Sequence, residues 1–349
     1  SGEALAVPEI SNLSAIGSGT SIPVGGIFAR RLAVGFGIYL PLDKLVTVGS
    51  IAVNEPDFYQ YHDFGQRLAL YAAAAYEILP SLSIGIGAEI LASAEGPASL
   101  GIDAERFEIT SRRLEFDVFP RAAPTAGIQF RPFSSLSLGL SFRSEMVLDF
   151  SLPITVVIPG EAGEELVLQA FDNSARTFFT PNQATFGIGY AVGGGWLIAA
   201  DLVWMDWSKA YDPGVMVQLT LDDTFIIGTE EEELGFHDIV VPRIGIEYTA
   251  GEHVALRAGY QFQASPVPDQ TTPESNLIDP DKHIFSAGMA FSLAEVFCWK
   301  PIPLTIDLAF QYQYLPERVT NKVDPEDPIG AYSAAGSLTT FSISARTRF

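Results

Sequence analysis

The 349-residue chain carries 42 acidic against 20 basic side chains, a net charge of −22, yet 48% of it is apolar and only 18% charged. That sign disfavours a nucleic-acid partner, whose phosphates need a basic footprint. No run of ~18 apolar residues is present, so no transmembrane helix is available; the nearest stretch, 64–79, is interrupted by Arg67 and Glu77. The single cysteine, Cys298, excludes an internal disulfide and has no zinc spacing.

In chain order, residues 1–20 form a polar N-terminal segment, with no leader peptide visible ahead of Ser1, as cleavage on export would leave it. From residue 21 to 349 one unit recurs: a strand of about ten residues, a tight turn, a second strand, a long polar loop. Tight turns fall near Arg30–Arg31, Pro80–Ser81, Pro132–Ser135, Gly193–Gly195 and Ala250–Glu252, with a longer one at 294–303. Each joins two strands, giving twelve, and a last strand at 336–349 makes thirteen. Single-chain bacterial barrels have even counts, so about fourteen strands are expected, the extra one from residues 1–20 or from upstream.

The alternation inside the strands identifies the fold class. In 136–150, Leu136, Leu138, Leu140, Phe142, Met146, Leu148 and Phe150 share one face. In 253–263, Val254, Leu256, Ala258, Tyr260 and Phe262 oppose His253, Arg257, Gln261 and Gln263. In 304–314, Leu304, Ile306, Leu308, Phe310, Tyr312 and Tyr314 oppose Thr305, Asp307, Gln311 and Gln313. A period of two is the strand period, and it persists longer here than in an ordinary soluble strand. A soluble sandwich would also alternate. Three features point instead to an all-β transmembrane antiparallel barrel: long strands, short periplasmic turns against long extracellular loops, and aromatics near strand ends (Phe130, Tyr190, Trp196, Trp204, Tyr248, Tyr314, Phe349). The last strand, TTFSISARTRF, ends on Phe349 in register, like the signal read by the barrel-assembly machinery.

Several segments in order resemble the FadL/TodX family of hydrophobic-substrate transporters of the Gram-negative outer membrane. The strongest spans 241–291, with Arg243, Gly245, Glu247, Tyr248, Arg257, Gly259, Tyr260, Ser265, Pro266, Pro268, Asp279, Asp281, Lys282, His283, Ser286 and Gly288. Further pieces are 196–210 (WLIAADLVWMDWSKA), 82–90 (LSIGIGAEI) and 136–145 (LSLGLSFRSE). The resemblance implies a monomeric uptake channel for hydrophobic molecules such as long-chain fatty acids, set among outer-membrane lipids and lipopolysaccharide. The family's N-terminal hatch, with its N-P-A-G-like stretch, has no counterpart in residues 1–20, which read as a remnant of the hatch or as a first strand.

By parity the inward residues include Arg67, Arg121, Arg131, Arg143, Arg243, Arg257, Glu77, Glu89, Glu145, Asp149, Asp201, Glu247 and Asp307. Most of these charges are expected to pair and hold the barrel shape. Arg143 and Arg257 are the candidates for gripping a substrate carboxylate, through the bidentate fork of the guanidinium. The loops at 95–116 and 152–172 are apolar for loops. The resemblance implies that Phe107, Ile154, Val156, Leu166, Leu168 and Phe171 line a groove that captures substrate; alternatively, the two loops pack on each other as a lid or extend the barrel. The resemblance also implies a lateral opening at a kinked early strand, here Leu32–Leu40, with Gly35 and Gly37 permitting a bulge and Pro41 unable to donate to the ladder. Alternatively, these glycines make room for lumen side chains.

No cofactor or metal site is expected. The four histidines are scattered, and Asp279-Pro-Asp281-Lys-His283 lacks the ligand count of an EF-hand and reads as a loop-closing polar turn. No G-x-S-x-G motif supports an enzyme. A general diffusion porin and, behind it, a barrel enzyme stand as the alternatives.

Overall fold

The computed structural model describes residues 15–24, 31–42, 56–58, 60, 67–95, 98–103, 108–114, 117–151, 154–159, 165–210, 215–221, 224–228, 235–269, 276–293, 303–324, 326–327 and 329–347. Thirteen strands build the barrel wall: β1 (Ala15–Pro23), β2 (Leu32–Pro41), β3 (Ala69–Leu79), β4 (Leu82–Glu95), β5 (Asp117–Phe133), β6 (Leu136–Arg143), β7 (Gln183–Gly193), β8 (Trp196–Met205), β9 (Ile239–Ala250), β10 (Val254–Gln263), β11 (Lys282–Leu293), β12 (Leu304–Thr320) and β13 (Tyr332–Thr347). Each pairs antiparallel with the next. β1 crosses the boundary expected at residue 20, and the fourteenth strand is not among the described residues.

Register explains the parity. Asp201 stands opposite Arg243, Arg243 opposite Gln261, Gln261 opposite Ile284 and Ile284 opposite Gln313, so one set of positions lines the lumen around the sheet. The alternate set faces out and is apolar: Ile86, Leu140, Phe186, Leu202, Ile244, Phe285, Phe310 and Phe341 are all exposed. In water this belt would be an aggregation surface; in hydrocarbon it is solvated. Aromatics close it at the rims, where Trp196 and Tyr248 stack with ring centroids 4.5 Å apart. The turn beside them needs glycine, because Gly193, Gly194 and Gly195 all have positive φ and a Cβ on Gly195 would strike the Thr249 carbonyl.

One sequence expectation is corrected. Alternation predicts a single strand over 136–150 with Met146 and Leu148 on the lipid face. Instead β6 stops at Arg143, and a separate strand, Met146–Ser151, begins after a break at Ser144–Glu145. There the Glu145 N–H donates to Asn182 Oδ1 at 2.9 Å and Asn182 Nδ2 donates to Glu145 Oε2 at 3.1 Å. Past that break the chain turns inward, and Met146 and Leu148 are buried.

The long loops carry strands of their own. Met146–Ser151 pairs with Glu165–Thr180, which also pairs with Ile154–Pro159 and Val215–Leu221. Ile154–Pro159 runs parallel to Ala98–Asp103, which hairpins with Glu108–Leu114. The two apolar loops therefore join through a ladder, as one extension of the sheet beyond the barrel.

Ile86, 69% exposed at mid-strand, tests which solvent surrounds the wall. Ile86→Arg is expected to destabilise the folded protein by about 2–4 kcal/mol in urea titrations in phospholipid, the cost of a charge near the bilayer midplane. In a soluble sandwich the same exposed change would be nearly neutral.

Candidate functional site

The lumen is layered. Passing from the long loops towards the short turns along β3, β4, β5, β8, β9, β11 and β12, a buried apolar residue is followed at the next inward position by a polar one. The pairs are Ala69 then Tyr71, Leu91 then Glu89, Ala123 then Thr125, Val203 then Asp201, Val241 then Arg243, Ile284 then Ser286, and Leu315 then Gln313. An apolar collar thus lies at the outer mouth, directly above a polar ring.

The collar is two packed clusters. Ala69, Leu91, Ala123, Met146 and Leu148, with Tyr39 and Phe178 against them, form one. Phe179, Val203, Met205, Trp207, Phe236, Ile239, Val241, Val267 and Leu277 form the other. The hairpin of Met146–Ser151 and Glu165–Thr180 stands between them, since Leu148 pairs with Phe178 and Val147 with Phe179. Leu148 and Val241 have no solvent exposure.

Beyond the second cluster, the loop after β10 is fastened by ions. Lys282 Nζ donates to Asp279 Oδ1 at 2.6 Å, with both side chains buried. Arg318 donates to Ser265 Oγ, the Asp279 carbonyl and the Val267 carbonyl at 2.8–2.9 Å. Burial pushes the Asp279 carboxyl above its ordinary value, while Lys282 and Arg318 beside it pull back. The polar turn expected from the sequence is therefore the anchor of this loop.

Below the collar, a cavity of about 480 Å³ runs along β8–β12, lined on its polar side by Asp201, Arg243, Gln261, Ser286 and Gln311. Its inner end is a charge triad in which Arg257 donates to Glu247 Oε2 at 2.6 Å and to Asp307 Oδ1 at 2.7 Å. The opposite wall is smooth, with Ala73, Ala75, Gly85, Gly127 and Gly139 bordering the space. Several lumen glycines seat a neighbour: Asp201 leans across Gly187, Ser286 across Gly259 and Tyr71 across Gly37.

The carboxylate-gripping candidates occupy different places. Arg257 has both arms of its fork on protein carboxylates. Arg143 pairs with Glu89 at 3.6 Å, and Glu89 also accepts from the Tyr71 hydroxyl at 3.1 Å. Arg243 enters none of the described ion pairs, and its Nε is buried without a hydrogen bond among the described residues. Its cross-strand neighbour Asp201 points the other way, onto Gly187. Phe107 lies outside the described residues. Ile154, Val156, Leu166 and Leu168 stand by register on one face of the extension sheet with Leu100, Leu219 and Leu221, whereas Phe171 falls on the other, before a register shift. At β2, Gly35 and Gly37 sit in ladders without a register shift on either side, and Pro41 pairs with Ala15.

The sequence profile of the family described as outer membrane protein transport protein (OMPP1/FadL/TodX) matches residues 122–349. The chain belongs to this family. It is therefore an outer-membrane barrel, as the lipid-facing belt requires. A curated relative, alkane uptake protein A of Marinobacter nauticus, is 27% identical over 286 residues, 81% of this chain; the alignment spans 58% of the relative's length. Among solved structures, a Pseudomonas aeruginosa FadL homologue shares the fold with a TM-score of 0.56 at 14% identity, over 94% of this chain and 77% of that one. The toluene transporter TodX of P. putida does so with a TM-score of 0.51 at 13% identity, over 92% and 80%.

Two substitutions separate the ion pairs by burial. Lys282→Met strands a buried carboxylate and is expected to cost about 3–5 kcal/mol at neutral pH. That loss shrinks as the pH falls through the raised folded pKa of Asp279 towards the ordinary carboxylate range. Arg257→Ala, in a lumen where Arg257 is 42% exposed, is expected to cost about 1 kcal/mol or less. Urea unfolding across pH measures both, and the reverse ranking contradicts the burial argument.

Proposed function

We propose that this chain is an uptake channel carrying hydrophobic molecules across the outer membrane. The observation supporting this most strongly is the apolar collar over the polar lumen. A general diffusion porin works through a wet, charged constriction, whereas this mouth is packed with Leu, Val, Met and Phe. A hydrocarbon crossing it exchanges one apolar contact for another.

Capture falls to the extension sheet, one face of which carries Ile154, Val156, Leu166 and Leu168 by register. The relative named for alkane uptake and the structural neighbour named for toluene support alkanes and aromatic hydrocarbons as the substrate class, and we extend it to long-chain fatty acids. For a fatty acid, Arg243 is the better grip for the carboxylate than Arg143 or Arg257, because its fork is uncommitted and the cavity beside it can hold part of an acyl chain.

Release is lateral in this reading. Entering the charged inner lumen and then the aqueous periplasm costs an apolar solute ~25 cal/mol per Å² of exposed surface, and a sideways step into hydrocarbon avoids it. Gly35 and Gly37 leave the lumen side of β2 bare, and Pro41 ends it without a donor. Passage there requires Tyr71 to lift from Gly37. The barrel acts as a monomer among lipids and lipopolysaccharide.

Uptake of labelled alkane and labelled fatty acid by expressing cells tests these roles separately. Arg243→Gln is expected to lower fatty-acid uptake roughly tenfold, the scale of one charge-assisted hydrogen bond, and to leave alkane uptake unchanged. Gly37→Phe, which fills the β2 side, is expected to lower both. Equal loss of both substrates in Arg243→Gln contradicts the headgroup role, and full uptake by Gly37→Phe contradicts exit at β2.

A further inference from the structure

The hairpin of Met146–Ser151 and Glu165–Thr180 is not part of the barrel wall. A wall strand has one face on lipid and one on the lumen. This hairpin is covered on both faces at its base: Met146, Leu148 and Phe178 pack on the β3–β5 side, Val147 and Phe179 on the β8–β9 side. It leaves the wall at the Ser144–Glu145 break, where Asn182, just past its return strand, bonds Glu145 at its start and donates at 3.2 Å to Asp206 Oδ2 at the end of β8. Beside the first cluster the Arg67 guanidinium lies over the Phe178 ring, 5.4 Å from its centroid. The hairpin is thus hinged by polar bonds at its root and held above that root by apolar packing and a cation–π contact.

We propose that the base of this hairpin is the selectivity filter of the channel: a dry stopper that Met146, Leu148, Phe178 and Phe179 form against Leu91, Ala123, Val203 and Val241, closed to ions and polar solutes and yielding to apolar ones. The proposal rests on reading the lumen as the path of transport. An apolar constriction dewets and blocks ions without any charged group. An apolar solute wedged beside Leu148 replaces the contacts it breaks, so the stopper opens for that solute class alone. The polar ring immediately below keeps the lumen hydrated, which places the barrier to ions at the hairpin rather than along the whole barrel.

Ion conductance in planar lipid bilayers reads the stopper without depending on which solute is carried or where it leaves. The wild-type protein is expected to be silent. Leu148→Asn with Phe179→Asn, checked for folding by heat-modifiable migration, is expected to raise steady conductance at least ~10-fold by wetting the constriction. Leu148→Met with Phe179→Leu, which keeps it apolar, is expected to stay silent. If the polar pair does not assemble, Val203→Thr with Val241→Thr wets the facing wall while retaining β-branched shape, and the same rise is expected. Steady conductance through the wild-type protein, or silence in a folded polar variant, overturns the proposal. Loss of hydrophobic uptake with the conductance pattern intact would count against the transport reading and leave the stopper standing.

Discussion

A backbone that crosses hydrocarbon must pair every N–H and C=O within the protein, because the bilayer core offers no water to satisfy them. Among the described residues, ladders link thirteen strands in sequence and meet the requirement from β1 through to β13. The ladders fix the register, and the register fixes which residue faces lipid and which faces the lumen. A slip of one residue would exchange Ile244 for Arg243 on the lipid face. The exposed belt, the position of the lumen charges and the layering of the mouth all follow from that constraint.

Inside the barrel the same parity produces a division of labour. Positions near the short turns hold charge, and the Glu247–Arg257–Asp307 triad links β9 to β10 and, across β11, to β12. Positions near the long loops are apolar and meet a hairpin that has left the wall. Glycine permits the transition on the lumen side, since Asp201 over Gly187 and Ser286 over Gly259 need a neighbour without a Cβ. The structure thus separates holding the barrel from closing it: ions and ladders for the first, apolar packing for the second.

The wall was legible in the sequence because a period of two, sustained for ten residues, arises in few structures besides a strand with two unlike faces. The tight turns were legible because glycine and proline mark them. Parity failed at Met146 and Leu148, which continue the apolar phase of β6 but lie inside the mouth. The available signal was Ser144, a polar residue on the otherwise apolar face, followed by Glu145. The loop strands were hidden because their apolar residues pair across long separations, as Val156 does with Leu168 and Leu100. Arg143 and Arg257, the arginines expected to meet a substrate carboxylate, pair with protein carboxylates, which alternation alone does not reveal. Arg243 is left outside the described ion pairs because Asp201 leans across Gly187, a contact that alternation does not encode.

The account turns on an apolar solute being able to enter where ions cannot. A structure of the protein in a lipid nanodisc with a long-chain alkane measures this most directly. The account predicts elongated density threading the collar between Leu148 and Val203 and ending near Arg243, with the hairpin base displaced to admit it. A collar unchanged and empty, with a continuous file of ordered water from mouth to periplasm, would contradict it.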